Sequence, residues 1–264
     1  MKKFIPLIEP QLCGKEKEYL TKCIESTYVS TSGEFISLFE EKLKKNTNSR
    51  YLTLVNSGTS ALQLSLIASG VKPNDLILTS NYSFIATANS IAYCQADPIL
   101  IDVEKDSFNI DFDLVEEFIT DKCIKKNNSI YHKESQRRIA AIIPILALGN
   151  IIDPKKLKKF KKNYQIPIIL DAAAAIGSKK GSQKLGDFVF DFASISFNGN
   201  KIITSGAGGA VIAKKKKDLQ KITHLASTAR NHPTYAHDMI GYNYRMPNIN
   251  AALGLAQLEK IESF

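Results

Sequence analysis

Seven short β-rich runs punctuate the chain: YLTLV (51–55), LILT (76–79), PILID (98–102), IAAIIPIL (139–146), PIIL (167–170), FASISF (192–197) and GAVIA (209–213). Several are apolar at successive positions rather than at alternate ones. A strand written that way has both faces buried, which occurs almost only in a mostly parallel sheet covered by helices on each side. Parallel neighbours cannot be joined by a tight hairpin and need a crossover, usually helical. Helical stretches are read at 14–26, 34–46, 59–69, 84–95, 112–119 and 154–162, and the last four lie between strands as such crossovers. Pro73–Asn74 marks the turn after one helix and Asp153–Pro154 the start of another. The pattern predicts an α/β fold in three layers, a mostly parallel seven-stranded sheet between helices, in one domain over residues 1–264. The polar stretch 121–138 reads as a surface excursion within it.

Bulk properties exclude several function classes. The longest apolar run, Ile139 to Leu148, is broken by Pro144 and is far shorter than the ~18 residues of a membrane span. The opening MKKFIPLIEP carries too short an apolar run for a secretion signal. Cys13, Cys23, Cys94 and Cys123 form no CxxC pair, as in a reduced, cytoplasmic protein with incidental thiols. His232 and His237, five apart, read as loop histidines and not as a metal pair, so no metal is expected. The net charge of +9 lies in lysine runs, 155–162 and 214–217, with few arginines and no interleaved aromatics. Lysine-coated faces fit that better than nucleic-acid binding does.

In such a sheet, ligands gather at the carboxyl ends of the strands. After YLTLV comes the turn Ser57-Gly58-Thr59 and a helix, whose free amides and dipole favour a phosphate. After PIIL comes Asp171, followed by four alanines; among such small side chains a carboxylate needs a cationic partner. Between FASISF and GAVIA stands Lys201, in SFNGNKIITSGAGG, and a lysine in a polar pocket can serve as a nucleophile. Singly, these residues read as an N-cap, a helix cap and a surface lysine. Jointly they describe one ligand with an aldehyde for Lys201, a protonatable ring nitrogen for Asp171 and a phosphate for Gly58, Thr59 and Ser196. Pyridoxal phosphate carries all three groups.

The chain resembles the DegT/DnrJ-type sugar aminotransferases, pyridoxal-phosphate (PLP) enzymes of fold type I. The resemblance rests on VSTSGEFISLFE, NSGTSALQLSL, NYSFIATANSIAYCQADPILIDV, LDAAAAIGS, SFNGNKIITSGAGGAVI and HDMIGYNYRMPNINAALGLAQLE. The wording of FNGNKIITSG and IATANSIAYC is most similar to the branch that aminates 4-keto sugars on the way to legionaminic acid. The resemblance implies the PLP-binding large domain of that fold. It makes Lys201 and Asp171 the catalytic pair, on the cofactor's aldehyde and ring nitrogen. It puts Gly58, Thr59 and Ser196 on the phosphate and stacks Phe84 on the ring. Asn243 would reach the phosphate of a neighbouring subunit, implying a homodimer with shared sites. The implied reaction moves an amino group from glutamate to the C4 ketone of a nucleotide-linked 6-deoxy-4-keto-hexose, for bacterial surface glycans.

Two departures accompany the resemblance. Ala174 stands where the family carries a glutamine, glutamate or histidine. The sequence stops at Phe264, where the family continues into a small C-terminal domain. The expectation is therefore a large domain without its small domain, slow on sugar substrate, with Leu253, Leu255, Leu258 and Ile261 of the final helix exposed. The alternative is a PLP-binding remnant or regulatory subunit without turnover. A nucleotide-sugar oxidoreductase is rejected, because GAGGAV lacks the third glycine, at Val211, and precedes a strand rather than following one.

Overall fold

The computed structural model describes residues 4–231 and 233–264, so His232 lies outside the described residues. The chain begins with α1 (Glu16–Glu25) and α2 (Glu34–Thr47), then β1 (Tyr51–Val55), α3 (Gly58–Ala68), β2 (Leu76–Ser80), α4 (Ile85–Tyr93) and β3 (Asp97–Ile101). Next come α5 (Phe112–Lys122), β4 (Cys123–Lys126), β5 (Ser129–His132), β6 (Arg138–Ile143), α6 (Pro154–Tyr164) and β7 (Ile169–Asp171). A small hairpin, β8 (Lys179–Lys180) and β9 (Gln183–Lys184), precedes β10 (Phe192–Ser196), β11 (Gly209–Ala213), α7 (Lys216–Ala226) and α8 (Asn248–Leu258).

One ladder runs β1-β11-β10-β7 and another β3-β2-β6-β5-β4. Single parallel bridges, Ile142 with Ile168 and Ile145 with Asp171, join β6 to β7. The seven expected strands thus lie in the order β3-β2-β6-β7-β10-β11-β1. From β3 to β10 all neighbours are parallel, while β11 runs antiparallel to both β10 and β1.

The strand side chains divide by pleat. Leu52, Leu54, Leu78, Ile195 and Ile212 pack into a core shared with α1, α2, α5, α6 and α8. Val55, Ile77, Ile143, Phe192 and Val211 face a second core under α3, α4 and α7. Two helical layers therefore sandwich the sheet, and this is why its strands could be apolar at successive positions. Local capping sets the helix starts. Asp111 accepts from the Asp113 amide at 2.9 Å, and Asp153, before Pro154, accepts from the Lys155 amide at 2.9 Å.

Three features differ from the sequence reading. The polar stretch 121–138 contains the antiparallel hairpin β4–β5, turned at Asn127 and Asn128 with φ of 47° and 61°. That turn needs left-handed residues, and Asn is the side chain that tolerates them. No helix was expected between residue 213 and the final helix, yet α7 follows the lysine run and buries Ile222, Leu225 and Ala226. In the final helix Leu255 and Leu258 are buried and Leu253 is half-buried, as is Ile261 just after it, where exposure was expected. The reason is that α8 lies against α1 and α2, so close to α2 that a Cβ at Gly254 would meet the Phe39 ring at 2.5 Å.

Gly209, at the start of β11, lies against backbone on two sides. A Cβ there would stand 2.6 Å from the Ser57 carbonyl carbon and 2.7 Å from the Ile195 carbonyl oxygen. Backbone cannot step aside as a side chain can, so Gly209→Ala is expected to cost about 1–3 kcal/mol by overpacking. Urea unfolding measures this, and an unchanged midpoint would refute the contact.

Candidate active site

The carboxyl ends of β1, β7 and β10 meet the start of β11 around a cavity of about 300 Å³. Its wall includes Gly58, Thr59, Phe84, Asp171, Ser196 and Lys201. These belong to four separate stretches of sequence, which the fold brings together. Asn243 does not line it; the residue is exposed, bridges to Ser227, and its carbonyl accepts from Asn56 Nδ2 at 3.3 Å.

The β1–α3 turn is built to present free amides. Ser57 caps α3, its hydroxyl accepting from the Ser60 amide at 3.0 Å. The Ala61 amide donates to the Ser57 carbonyl at 3.1 Å. Among the described residues, the Gly58 and Thr59 amides have no protein acceptor, so both remain for an anion at the positive end of the helix. Gly58 is required by contact. A Cβ there would stand 2.8 Å from Ser196 Cβ, so only glycine lets the first turn of α3 approach β10.

Asp171 ends β7 and is buried. Burial pushes its carboxyl above the ordinary value of 3.8; against it act the Thr87 hydrogen bond, the Ala173 amide and the positive charge of Lys201. Thr87 Oγ1 donates to Asp171 Oδ2 at 2.7 Å, and the Ala173 amide donates to Oδ1 at 3.1 Å.

Lys201 is half-buried in a turn, its amide donating to the Asn198 carbonyl at 3.0 Å. Among the described residues it has no carboxylate within 4.0 Å, so its ammonium is in the field of Asp171 without pairing directly. Phe84 is the N-cap residue of α4 and its ring is 74% exposed at the cavity wall, a surface to be covered by something flat. Ala173 lines the cavity and Ala174 does not; the Ala174 carbonyl faces Gly149 instead.

Sequence reasoning missed Thr87, Asn198 and Asn200. The two asparagines line the cavity within the FNGNK turn, and their signal was their adjacency to Lys201. Thr87 had a weaker one, its place one helical turn after Phe84. No pattern in the chain pointed it at Asp171.

The donor set suits pyridoxal phosphate: an amine, a buried carboxyl, two free amides with a nearby hydroxyl, and an exposed ring. Among the described residues, no group of three or more His, Cys, Asp or Glu could hold a metal ion, and no helix is long and apolar enough to cross a membrane.

The chain is 36% identical over 263 residues to GDP-perosamine synthase of Escherichia coli O157:H7, covering 99% of this chain and 68% of that protein. It is 33% identical to the putative pyridoxal phosphate-dependent aminotransferase EpsN of Bacillus subtilis, covering 99% and 65%. The chain thus spans about two thirds of the length of such relatives. A crystal structure of a DegT DnrJ EryC1 StrS aminotransferase from Brucella abortus superposes with a TM-score of 0.86 at 25% identity, covering 94% of this chain and 64% of that one. Residues 10–264 match the DegT/DnrJ/EryC1/StrS aminotransferase family throughout, and the chain belongs to that family.

Proposed function

We propose that this chain is a cytoplasmic, PLP-dependent aminotransferase that moves an amino group from glutamate to the C4 ketone of a nucleotide-linked 4-keto-6-deoxy sugar. The observation that carries the reading is the meeting of Lys201, Asp171 and the free Gly58 and Thr59 amides in one cavity. The names of its relatives support a nucleotide-sugar substrate and this cofactor. A remnant without turnover is not favoured, since the amine and the acid are both in place.

Lys201 would hold the cofactor's aldehyde carbon, Asp171 its ring nitrogen, Gly58, Thr59 and Ser196 its phosphate, and Phe84 one face of its ring. When bound, pyridoxal phosphate supplies an electron sink for negative charge at the carbon that carries the amino group. The residues do the rest. Among the described residues, Lys201 is the one amine on the cavity wall, and it is the natural base for a proton at the substrate's α-carbon. Asp171, taken out of water, favours a protonated nitrogen opposite it. The α3 amides fix a phosphate without mobile side chains.

The test is direct. Protein loaded with PLP is mixed with glutamate and with UDP-, GDP- and dTDP-4-keto sugars, and amino-sugar products are detected by mass. Absence of a visible cofactor band and of any product with the whole panel would sink the reading.

Asn243, outside the cavity of its own chain, fits this scheme as a contribution to a partner's phosphate in a homodimer. Asn243→Ala is then expected to weaken PLP binding roughly tenfold. Equilibrium dialysis paired with light scattering reads both affinity and assembly. A monomer that retains PLP at full strength would overturn the idea.

A further inference from the structure

We propose that Thr87 is a positioning residue for the cofactor: through its hydrogen bond to Asp171 it aims the carboxylate and holds it ionised for a cationic ring nitrogen. The inference rests on the function proposed above and extends it to a residue that does not line the cavity.

The argument starts from the carboxylate's surroundings. A carboxylate taken out of water needs donors for its lone pairs, or it takes up a proton and ceases to be a counter-ion. Asp171 has two neutral donors, the Ala173 amide on Oδ1 and the Thr87 hydroxyl on Oδ2. The first belongs to its own turn, two residues on, and follows the carboxylate wherever β7 goes. Thr87 comes from the first turn of α4, 84 positions away in sequence, and is the tertiary anchor. With one oxygen tied to β7 and the other to α4, the carboxylate plane cannot swing about χ2.

Thr87 is suited to that role. It is wholly buried, so its hydroxyl is not shared with solvent. It is β-branched, which narrows its χ1 choice in a helix. Its amide donates to the Phe84 carbonyl at 3.2 Å. One helical turn therefore carries both Phe84, which faces the cavity, and the hydroxyl that orients Asp171. A shift of α4 would move ring and acid together. Among the described residues, Lys201 is the charged group that acts on Asp171, and it too opposes protonation. Thr87 and the Ala173 amide are thus the neutral donors that, with Lys201, favour the charged acid against burial.

The experiment compares wild-type protein with Thr87→Val, Thr87→Ser, Thr87→Ala and Asp171→Ala. Three quantities are read: PLP affinity by equilibrium dialysis, the pH dependence of the bound cofactor's absorption, and thermal unfolding without cofactor. A hydrogen bond to a charged group is worth about 1.5–3 kcal/mol, so Thr87→Val is expected to weaken PLP binding about 10- to 100-fold. Its absorption titration should also be displaced from that of wild type, while Thr87→Ser stays close to wild type in both. Should the valine variant fail to fold, the Ser/Ala pair, differing by the hydroxyl alone, makes the same comparison. Weaker binding with an unchanged absorption titration would mean that Thr87 only packs, and would overturn the proposal. So would wild-type affinity in Thr87→Val and Thr87→Ala while Asp171→Ala loses cofactor, an outcome that leaves the proposed function standing. If Asp171→Ala also binds PLP normally, the assignment of Asp171 fails and the Thr87 proposal fails with it.

Discussion

Lys201→Ala is expected to remove the covalent hold on PLP and reduce transamination by at least 10²–10⁴-fold, the range lost with a general base alone. The residue would serve two roles, and alanine can fill neither. Its amine would hold the cofactor's aldehyde carbon, and it would be the base at the substrate's α-carbon. The rest of the site stays intact in this variant, because the Lys201 side chain has no hydrogen-bond or ion-pair partner among the described residues. PLP should therefore still bind, weakly, through the α3 amides and Phe84. Borohydride reduction followed by intact mass measurement separates the cases. Wild-type protein should gain the mass of the reduced cofactor and the variant should not. A reducible adduct persisting at one site in Lys201→Ala would move the assignment to another lysine.

Asp171→Asn should separate function from stability. Asn keeps the shape and both local hydrogen bonds, its oxygen accepting from the Ala173 amide and its amide donating to Thr87 Oγ1. What it removes is the charge, so on the proposed role the ring nitrogen would lose its counter-ion, and both PLP affinity and turnover are expected to fall sharply. In the cofactor-free protein the effect runs the other way. Burial raises the Asp171 carboxyl above 3.8 in the folded state, so the folded chain binds the proton more tightly than the unfolded chain does. Stability from this group is then fully present below 3.8 and is lost as pH rises through the elevated folded value. Asn has nothing to ionise. The cofactor-free variant should therefore match wild type in acid and exceed it at neutral pH, a divergence that urea unfolding at several pH values would show. Equal pH dependence in the two proteins would refute the burial account. A wild-type response to glutamate would refute the role at the ring nitrogen.

Much of this was legible along the chain. Short apolar runs pointed to strands, and all seven proved to be strands of the central sheet, although β3 leaves Leu100 exposed. Gly58, Asp171 and Lys201 stood out because each was out of character for its place: a glycine before a helix, an acid after an apolar strand, a lysine between two strands. Chain identity along residues 10–264 then gave the family. Hairpin β4–β5 was masked by its polar composition, since an edge hairpin in water needs no apolar alternation.

What the linear order determined by itself was the set of elements and the kinds of chemistry at their ends, because hydrophobic period and turn residues act within a few positions. What only the tertiary structure decided was which ends meet. The order β3-β2-β6-β7-β10-β11-β1 places β7 beside β10 and β1 beside β11, and so brings Asp171, Ser196 and the α3 amides to one cavity. The same packing buries Leu255 and Leu258 against neighbouring helices and leaves Asn243 outside the cavity of its own chain. Thr87 shows the division most clearly. Its sequence neighbours place it on a helix, but its bond to Asp171 spans 84 positions and exists because α4 is packed across the carboxyl end of β7. Contacts of that separation depend on the burial of whole faces, which no local pattern encodes.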